Sequence, residues 1–512
     1  MSAANFRLSL AIGPATVSVS YLAAVHLILA FIVLITTLIT EIAARREWLP
    51  YWLTRKILHI IAVGACAVAT LHVERRLLTW IVAGAEVLLL VLILTNQLMR
   101  EESGRRAWGI VWFPLAFLIL LIGPVPRPVI AFSMLVLALC DPAATIVGKL
   151  FARTTYNLTG DEKSLVGNLA FAVSFVLLAL LFFLPVQFSV TPEDPHHYYS
   201  VVQLIGWPGI LGMAVILAVG ESLGSKGLDN LIVPLLTAWL WLGVDAGQYA
   251  LLFPLILGGA LFSWWMVRRG SLTTGGALTA SLLGLTVVIG THSFLWLLPL
   301  FLFLFSSSLI GRLFPVTTAA GDAKQKLPRD ATQVLANGGY YGLLASGTIF
   351  SIQDFPCFGL PIHFSLLVIM AIATADTWSS EIGQYFKWPT YDLVKWRRVP
   401  AGLSGGVSLP GTLAGLAGAA FIGGTCWWLL PYPYLEAVLL IILGGFCGML
   451  LDSVLGSLFQ AKYRDPETGA FSDTQRPNTE LANGFSWVTN DLVNFVAILW
   501  GVWFFTYVIL MF

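Results

Sequence analysis

Residues 141–167 read DPAATIVGKLFARTTYNLTGDEKSLVG, a polar island between apolar runs. Its Asp141 is the kind of group that binds Mg²⁺, an ion that takes few carboxylates and keeps waters and phosphate oxygens around it. Asp141 equally suits the N-cap of a helix beginning at Pro142, because proline is favoured at the first helical position. Lys149 follows, and then Gly160, Lys163, Ser164 and Gly167 precede the next apolar run. A Gly-Lys-Ser cluster before a helix cradles phosphate through backbone N–H groups. The Walker A spacing is absent. Upstream, LTRKILH sets Arg55, Lys56 and His59 at the start of a span, with Arg55 and His59 four apart on one helix face. That cluster suits a phosphate, and it equally suits a positive-inside anchor with an interfacial histidine. GESLGSKGLDN adds the carboxylates Glu221 and Asp229, which makes Asp229 a second metal-ligand candidate.

A second set of polar clusters follows residue 270. GDAKQKLPRDATQVLANGG carries Asp322, Lys324, Lys326, Arg329, Gln333 and Asn337. ATADTWSSEIG places Asp376, Ser379, Ser380 and Glu381 at the end of a span, and Asp376 and Ser380 share a face if the helix continues. RRVPAGLSGGVSLPGT holds Gly402, Ser404, Gly405, Gly406 and Gly411. Such glycines permit an anion-binding nest, a flexible loop or close helix packing. LDSVLGSLFQAKYR holds an intramembrane Asp452, and TNDLVNF holds Asn490, Asp491 and Asn494. Ionisable groups inside spans are costly, and this favours function for Asp452.

The elements that must position these groups are membrane spans. The 512-residue chain is 58% hydrophobic and 11% charged, with a mean hydropathy of +0.84. A soluble domain is about 25% charged, so the composition implies an all-α polytopic membrane protein. About 16 apolar runs are candidate spans, several of them short or broken by Gly and Pro as in re-entrant or discontinuous helices, and the first, near 19–40, reads as a retained span. A net charge of +1 gives no argument for nucleic acid. The five cysteines form no CxxC pair and suggest neither disulfides nor a metal site. A join near VRRGSLTTGG divides the chain into two helical membrane domains, 1–268 and 269–512. No clear internal sequence repeat is visible, so the halves read as different modules.

Orientation follows from charge. Every Lys and Arg except Arg7, Arg75, Arg76 and Arg127 falls in alternate loops. Basic loops collect on the cytoplasmic side, which puts both sets of polar clusters there. The opposite loop 186–200 carries Glu193, Asp194, His196 and His197 but no Lys or Arg.

The first half resembles the phytol kinase and dolichol kinase family, on RKILH, DPAATIVGKLF, GDEKSLVGN and ESLGSKGLDN. It departs from the family's KSxEGS-like pattern at Val166 and Asn168. The second half resembles the phytyl-phosphate kinase family, on QVLANGG, ADTWSSEIG, AGLSGGVSLPGT, DSVLGSLFQ and NDLVNF. The two resemblances imply a bifunctional kinase with CTP or another nucleoside triphosphate as donor and Mg²⁺ as cofactor. The first half would phosphorylate phytol or a related isoprenoid alcohol, and the second would phosphorylate the monophosphate. The product would be a prenyl diphosphate salvaged for tocopherol, quinone or chlorophyll synthesis. They imply metal binding at Asp376, Glu381 and Asp452, and phosphate clamping by Lys395, Arg397 and Arg398. Catalytic roles fall to Asp141, Lys163, Asp376 and Glu381, and a carboxylate among Asp141, Asp161 and Glu162 would accept the alcohol proton. A single-activity polyprenol kinase, a CDP-lipid-forming cytidylyltransferase and a membrane transporter are the alternative readings.

Overall fold

The structure is a computed structural model. It describes residues 46–95, 108–185, 198–244, 249–315, 327–347, 362–431, 435–466, 471–475 and 479–511, with isolated positions 35, 39, 42 and 469. The expected span 19–40, the loop carrying Glu193 to His197, and Asp322, Lys324 and Lys326 lie outside the described residues, apart from positions 35 and 39. The chain forms two compact units, 1–258 and 259–512.

In the first unit the helices are α1 (Tyr51–His72), α2 (Arg75–Leu94), α3 (Gly109–Ile122), α4 (Arg127–Phe151), α5 (Leu165–Leu181), α6 (Val201–Leu223) and α7 (Asp229–Gly243). Helix α8 (Leu252–Arg268) straddles the division. The second unit adds α9 (Thr274–Thr291), α10 (Leu298–Leu313), α11 (Ala331–Gly347), α12 (Ile362–Tyr385), α13 (Leu409–Cys426), α14 (Leu435–Leu458) and α15 (Asn490–Met511). Among the described residues, ten helical segments are long and apolar enough to cross a membrane, and four more are shorter and apolar. Large apolar side chains face outward, as Trp80, Val87, Leu88 and Leu94 do on α2. In water such a surface would be a sticky patch; in lipid it is the solvated face. The protein is an all-α, multi-pass membrane protein.

Each unit is built around one buried helix. Helix α4 packs against α1, α5 and α7, and α12 packs against α10, α11, α13, α14 and α15. Helix α4 runs unbroken through Pro142, so Asp141 lies mid-helix and only 1% exposed. This overturns the N-cap reading of Asp141. Pro142 cannot donate to a carbonyl one turn back, but packing on both sides of α4 outweighs that loss. Helix α12 likewise continues past residue 377 to Tyr385, so Asp376 and Ser380 do share a face.

Short strands close several of the loops between helices. Strands β1 (Tyr156–Asn157) and β2 (Glu162–Lys163) form a hairpin between α4 and α5, with Tyr156 opposite Lys163. Strands β3 (Phe183–Pro185) and β4 (Tyr198–Ser200) pair between α5 and α6. Strands β5 (Thr390–Asp392), β6 (Arg398–Val399) and β7 (Gly406–Val407) form a sheet ordered β6-β5-β7 between α12 and α13. Strands β8 (Lys462–Arg464), β9 (Phe471–Ser472) and β10 (Glu480–Asn483) form a sheet ordered β10-β8-β9 between α14 and α15.

Arg75, one of the four basic residues outside the basic loops, has a structural duty. Its guanidinium donates to the carbonyls of Leu121 (2.7 Å), Val125 (3.0 Å), Leu120 (3.1 Å) and Gly123, at the C-terminal end of α3. A cation there satisfies orphan carbonyls and complements the helix dipole.

Candidate active sites

The site of the first unit is assembled from five elements. Helix α4 supplies Asp141, α1 supplies Lys56 and His59, strand β2 supplies Lys163, the end of α6 supplies Glu221, and the start of α7 supplies Asp229. Lys56 Nζ donates to Asp141 Oδ2 at 2.8 Å, and His59 Nε2 lies 3.6 Å from the same oxygen. The face that meets Asp141 is therefore Lys56 with His59, and Arg55 is exposed. Lys163 Nζ donates to Glu221 Oε1 and, at 3.2 Å, to Asp229 Oδ2. Burial alone would lower the Lys163 ammonium, but Asp229 and Glu221 outweigh it and hold the group well above the ordinary lysine range.

One carboxylate oxygen from each of Asp141, Glu221 and Asp229 lies within 4.8 Å of the others. Glu221 Oε2 is buried with no hydrogen-bond partner among the described residues. Three hard oxygen donors converging, one of them orphaned, fit a Mg²⁺ ion that keeps waters and phosphate oxygens in its remaining positions.

The other residues singled out in this segment hold the scaffold. Ser164 caps α5, its Oγ accepting from Gly167 N at 3.1 Å. A Cβ on Gly167 would meet the Ala144 carbonyl at 2.9 Å, so glycine lets α5 close on α4. Gly160 sits at φ +122° and donates its N–H to Asn157 Oδ1 at 2.7 Å. Lys149 Nζ lies 4.5 Å from the centroid of the Trp52 ring. Asp161 accepts from Lys226 N at 2.6 Å and Glu162 is exposed. Of the three residues considered as base, only Asp141 joins the carboxylate cluster. Asn168 donates to Tyr156 Oη (2.6 Å) and Ser222 Oγ (2.8 Å), tying α5 to the hairpin and to α6.

The site of the second unit is a cavity of roughly 210 Å³. Asp376, Glu381 and Asp452 line it together with Arg329 and Asn337. The charge of Asp376 acts on Asp452, and the Asn494 amide lies 3.0 Å from Asp452 Oδ1, donating to it once its nitrogen is turned toward the carboxylate. Two half-buried carboxylates with few protein donors also fit Mg²⁺. Gly402, Ser404, Gly405 and Gly406 line the same cavity. The loop is pinned from below: Ser404 N–H donates to Asp473 Oδ2 (2.9 Å) and Ser404 Oγ to Gln460 Oε1 (2.7 Å). Gly405 has φ +81°, and a Cβ there would lie 2.6 Å from Ser457 Cα. Asp392 Oδ1 accepts from Ser457 Oγ (2.7 Å), Lys395 N (2.8 Å) and Val394 N (3.0 Å). Burial works to raise this carboxyl; the Lys395 N–H, the Ser457 hydroxyl and the Val394 N–H outweigh it and hold it below its usual range. The Lys395 and Arg397 side chains are exposed on the segment between β5 and β6, outside the cavity lining.

The two sites are built alike. Asp141 precedes Gly148 by seven residues, and Asp376 precedes Gly383 by seven. Each glycine faces the serine cap of the next helix: a Cβ on Gly148 would lie 3.0 Å from Ser164 Oγ, and one on Gly383 3.2 Å from Ser408 Oγ. Each cap is followed by Leu-x-Gly, and that glycine would bring a Cβ to 2.9 Å from the carbonyl of Ala144 or Ser379. Those carbonyls belong to the third residue after Asp141 and Asp376. The next helices carry Glu221-Ser222 and Asp452-Ser453, and the last begin Asp229-Asn230-Leu and Asn490-Asp491-Leu. Packing repeats in most pairs: α3 lies on α4 and α7, α4 on α5 and α7, and α6 on α5 and α7, as α11 lies on α12 and α15, α12 on α13 and α15, and α14 on α13 and α15, although α12 also packs on α14 where α4 does not pack on α6 among the described residues. The halves therefore share one site-forming module, contrary to the reading of two different modules.

Comparison with known proteins places this arrangement. A phytol kinase of Synechocystis sp. is 30% identical over 222 residues, which cover 88% of that protein and 40% of this chain. The chain belongs to the phytol kinase family. Beyond that family match, residues 257–502 match the family described as integral membrane protein DUF92. Protein VTE6, chloroplastic, of Arabidopsis thaliana is 32% identical over 127 residues, covering 25% of this chain. An uncharacterized membrane protein of Methanocaldococcus jannaschii is 34% identical over 116 residues, covering 20% of this chain. This phytol kinase family chain spans only 32% and 48% of those last two proteins. No solved structure matches it.

Proposed function

We propose that the chain is a bifunctional isoprenoid-alcohol kinase. The first unit converts a prenyl alcohol such as phytol to its monophosphate, and the second converts the monophosphate to the diphosphate. CTP or another nucleoside triphosphate is the donor, and both sites face the cytoplasm, where the basic loops gather. The observation that carries this reading is the recurrence of one carboxylate-bearing module in both units of a phytol kinase family member. Two sites on one chain limit escape of the intermediate, an effective-concentration gain.

Phosphoryl transfer leaves little covalent work for the protein, so positioning and charge neutralisation dominate. In the first unit Asp141, Glu221 and Asp229 would hold Mg²⁺, and in the second Asp376 and Asp452 would. The bound ion supplies neutralisation of phosphate charge and a template for in-line geometry. Lys163 is already charged and placed between two of the carboxylates. It trades those partners for a phosphate oxygen when the donor enters. Asp141, with Lys56 and His59 against it, is the group placed to take the alcohol proton. A monophosphate acceptor is already ionised, so the second site needs orientation of an anion more than a base.

The test is product analysis. The purified chain in lipid is given CTP labelled at its γ-phosphate and phytol or geranylgeraniol. Labelled prenyl diphosphate with free CDP is the expected outcome. A CDP-lipid with released pyrophosphate would identify a cytidylyltransferase instead.

A further inference from the structure

The repeat separates what the two sites share from what distinguishes them. Shared parts serve the shared donor chemistry. A feature confined to one unit serves what differs, which on the proposed reading is the acceptor. The clearest difference lies on the pair of equivalent helices α3 and α11. Each packs on the central helix and on the last helix of its module. Helix α3 reads GIVWFPLAFLILLI and carries no charged or amide side chain. Helix α11 and the residues before it present Arg329, Gln333 and Asn337, spaced four apart and all lining the cavity.

This stripe offers donors in excess. Arg329 Nη1 is buried with no hydrogen-bond partner among the described residues, and its guanidinium lies 5.5 Å from the centroid of the Phe303 ring. The ring fixes the planar group without consuming its N–H donors. Glu381, on the same cavity, supplies the opposing charge. Gln333 takes the Asp330 N–H on its Oε1 (3.3 Å), so its amide N–H groups have no acceptor among the described residues. Asn337 Nδ2 donates to Gln333 O at 3.0 Å. A guanidinium with a buried, unmet donor beside an amide with unmet donors suits a planar-edged anion such as a phosphate.

Resting on the proposed reading of the second unit, we infer that Arg329 and Gln333 form the subsite for the phosphate monoester of a lipid acceptor. Asp376 and Asp452 lie on the other side of the division of labour, with the donor and its ion. The first unit has an apolar helix at the equivalent place because its acceptor carries a neutral hydroxyl.

The test uses the full-length chain in lipid nanodiscs. Arg329→Gln, Arg329→Lys and Gln333→Leu are assayed with geranylgeranyl monophosphate and with geranylgeraniol as separate acceptors. Binding of geranylgeranyl monophosphate, geranylgeraniol and inorganic phosphate is measured in parallel without nucleotide. Loss of one charge-assisted contact is worth about a factor of 10 to 100. Arg329→Gln is expected to raise KM for the monophosphate by that factor, with KM for the nucleotide and alcohol phosphorylation unchanged. Arg329→Lys restores part of the loss. Wild type is expected to bind the monophosphate in preference to the alcohol and to inorganic phosphate, and Arg329→Gln to lose the preference. An unchanged monophosphate KM, or a rise in the nucleotide KM alone, overturns the assignment. If wild type makes no diphosphate, the kinase reading of the second unit fails. The binding comparison then decides the subsite, and equal binding by wild type and Arg329→Gln overturns it.

Discussion

Asp141 and Asp376 hold equivalent places: each sits seven residues before a helix glycine that abuts the serine cap of the following helix. The carboxylates are thus carried on seams where two backbones nearly touch. Gly167→Ala and Gly411→Ala should act alike, because each adds a Cβ 2.9 Å from a carbonyl oxygen of the central helix. Overpacking costs about 1–3 kcal/mol. Thermal unfolding of the purified chain should show a lowered midpoint for both variants. A neutral effect at either would mean that seam tolerates separation.

Lys163 bridges Glu221 and Asp229, and strand β2 delivers it there. In the second unit Val407 stands before the cap Ser408, where Lys163 stands before Ser164. Lys163→Met should therefore impair only the first step. Removing one preorganised charge from such a site costs about 100-fold or more in rate. Rates of alcohol and monophosphate phosphorylation, measured separately, should diverge by that factor. Equal losses in both would place Lys163 in a purely structural role.

Metal binding has a readout apart from turnover. An ion that binds the folded state raises its unfolding temperature. Mg²⁺ should raise the midpoint of the wild-type chain and do less for Glu221→Gln, whose orphaned oxygen is changed. The pair Asp141→Asn with Asp376→Asn should abolish the shift. A Mg²⁺ shift that survives in the pair would locate the ion elsewhere.

Acid sensitivity has a named source at the second site. The Asp392 carboxyl is held below its usual value near 3.8 by the Lys395 N–H, the Ser457 hydroxyl and the Val394 N–H, against the opposing pull of burial. A lowered native value means the unfolded chain takes up the proton first. This contribution is complete above about pH 4 and is lost as pH falls through the lowered native value. Amide exchange over residues 402–406, which β5 and β7 help to position, should quicken below pH 4 in wild type. Asp392→Asn should show quick exchange at neutral pH and little further change with acid. A pH-independent wild type would remove Asp392 from this role.

Much of the fold was legible because lipid imposes a simple code. Long apolar runs between basic loops place the helices α2, α4 and α6 to α10 within a few residues of where they lie. The site carboxylates Asp141, Asp229, Asp376 and Asp452 stood out for the same reason, as charges in an apolar context. Four things were hidden. Pro142 reads as a helix start, and only tertiary packing carries α4 through it. Arg55 and His59 share a face by spacing, but which face meets Asp141 depends on how α1 packs, and it is that of Lys56. Arg329 was visible only as one cation in a polar loop, since nothing local says that its N–H goes unmet. The repeat escaped notice because it consists of a few fixed residues, Asp-x₆-Gly and Ser-Leu-x-Gly, separated by loops of different length. Interior packing fixes those positions and leaves lipid-facing ones free to drift.

The most direct test of the two-site account is the product profile of two variants of the full chain, Asp141→Asn and Asp376→Asn, given labelled CTP and prenyl alcohol. The account predicts that Asp141→Asn yields neither phosphate from the alcohol yet still converts added monophosphate to diphosphate. It predicts that Asp376→Asn accumulates monophosphate. Normal diphosphate from Asp376→Asn, or loss of both steps in Asp141→Asn, would contradict it.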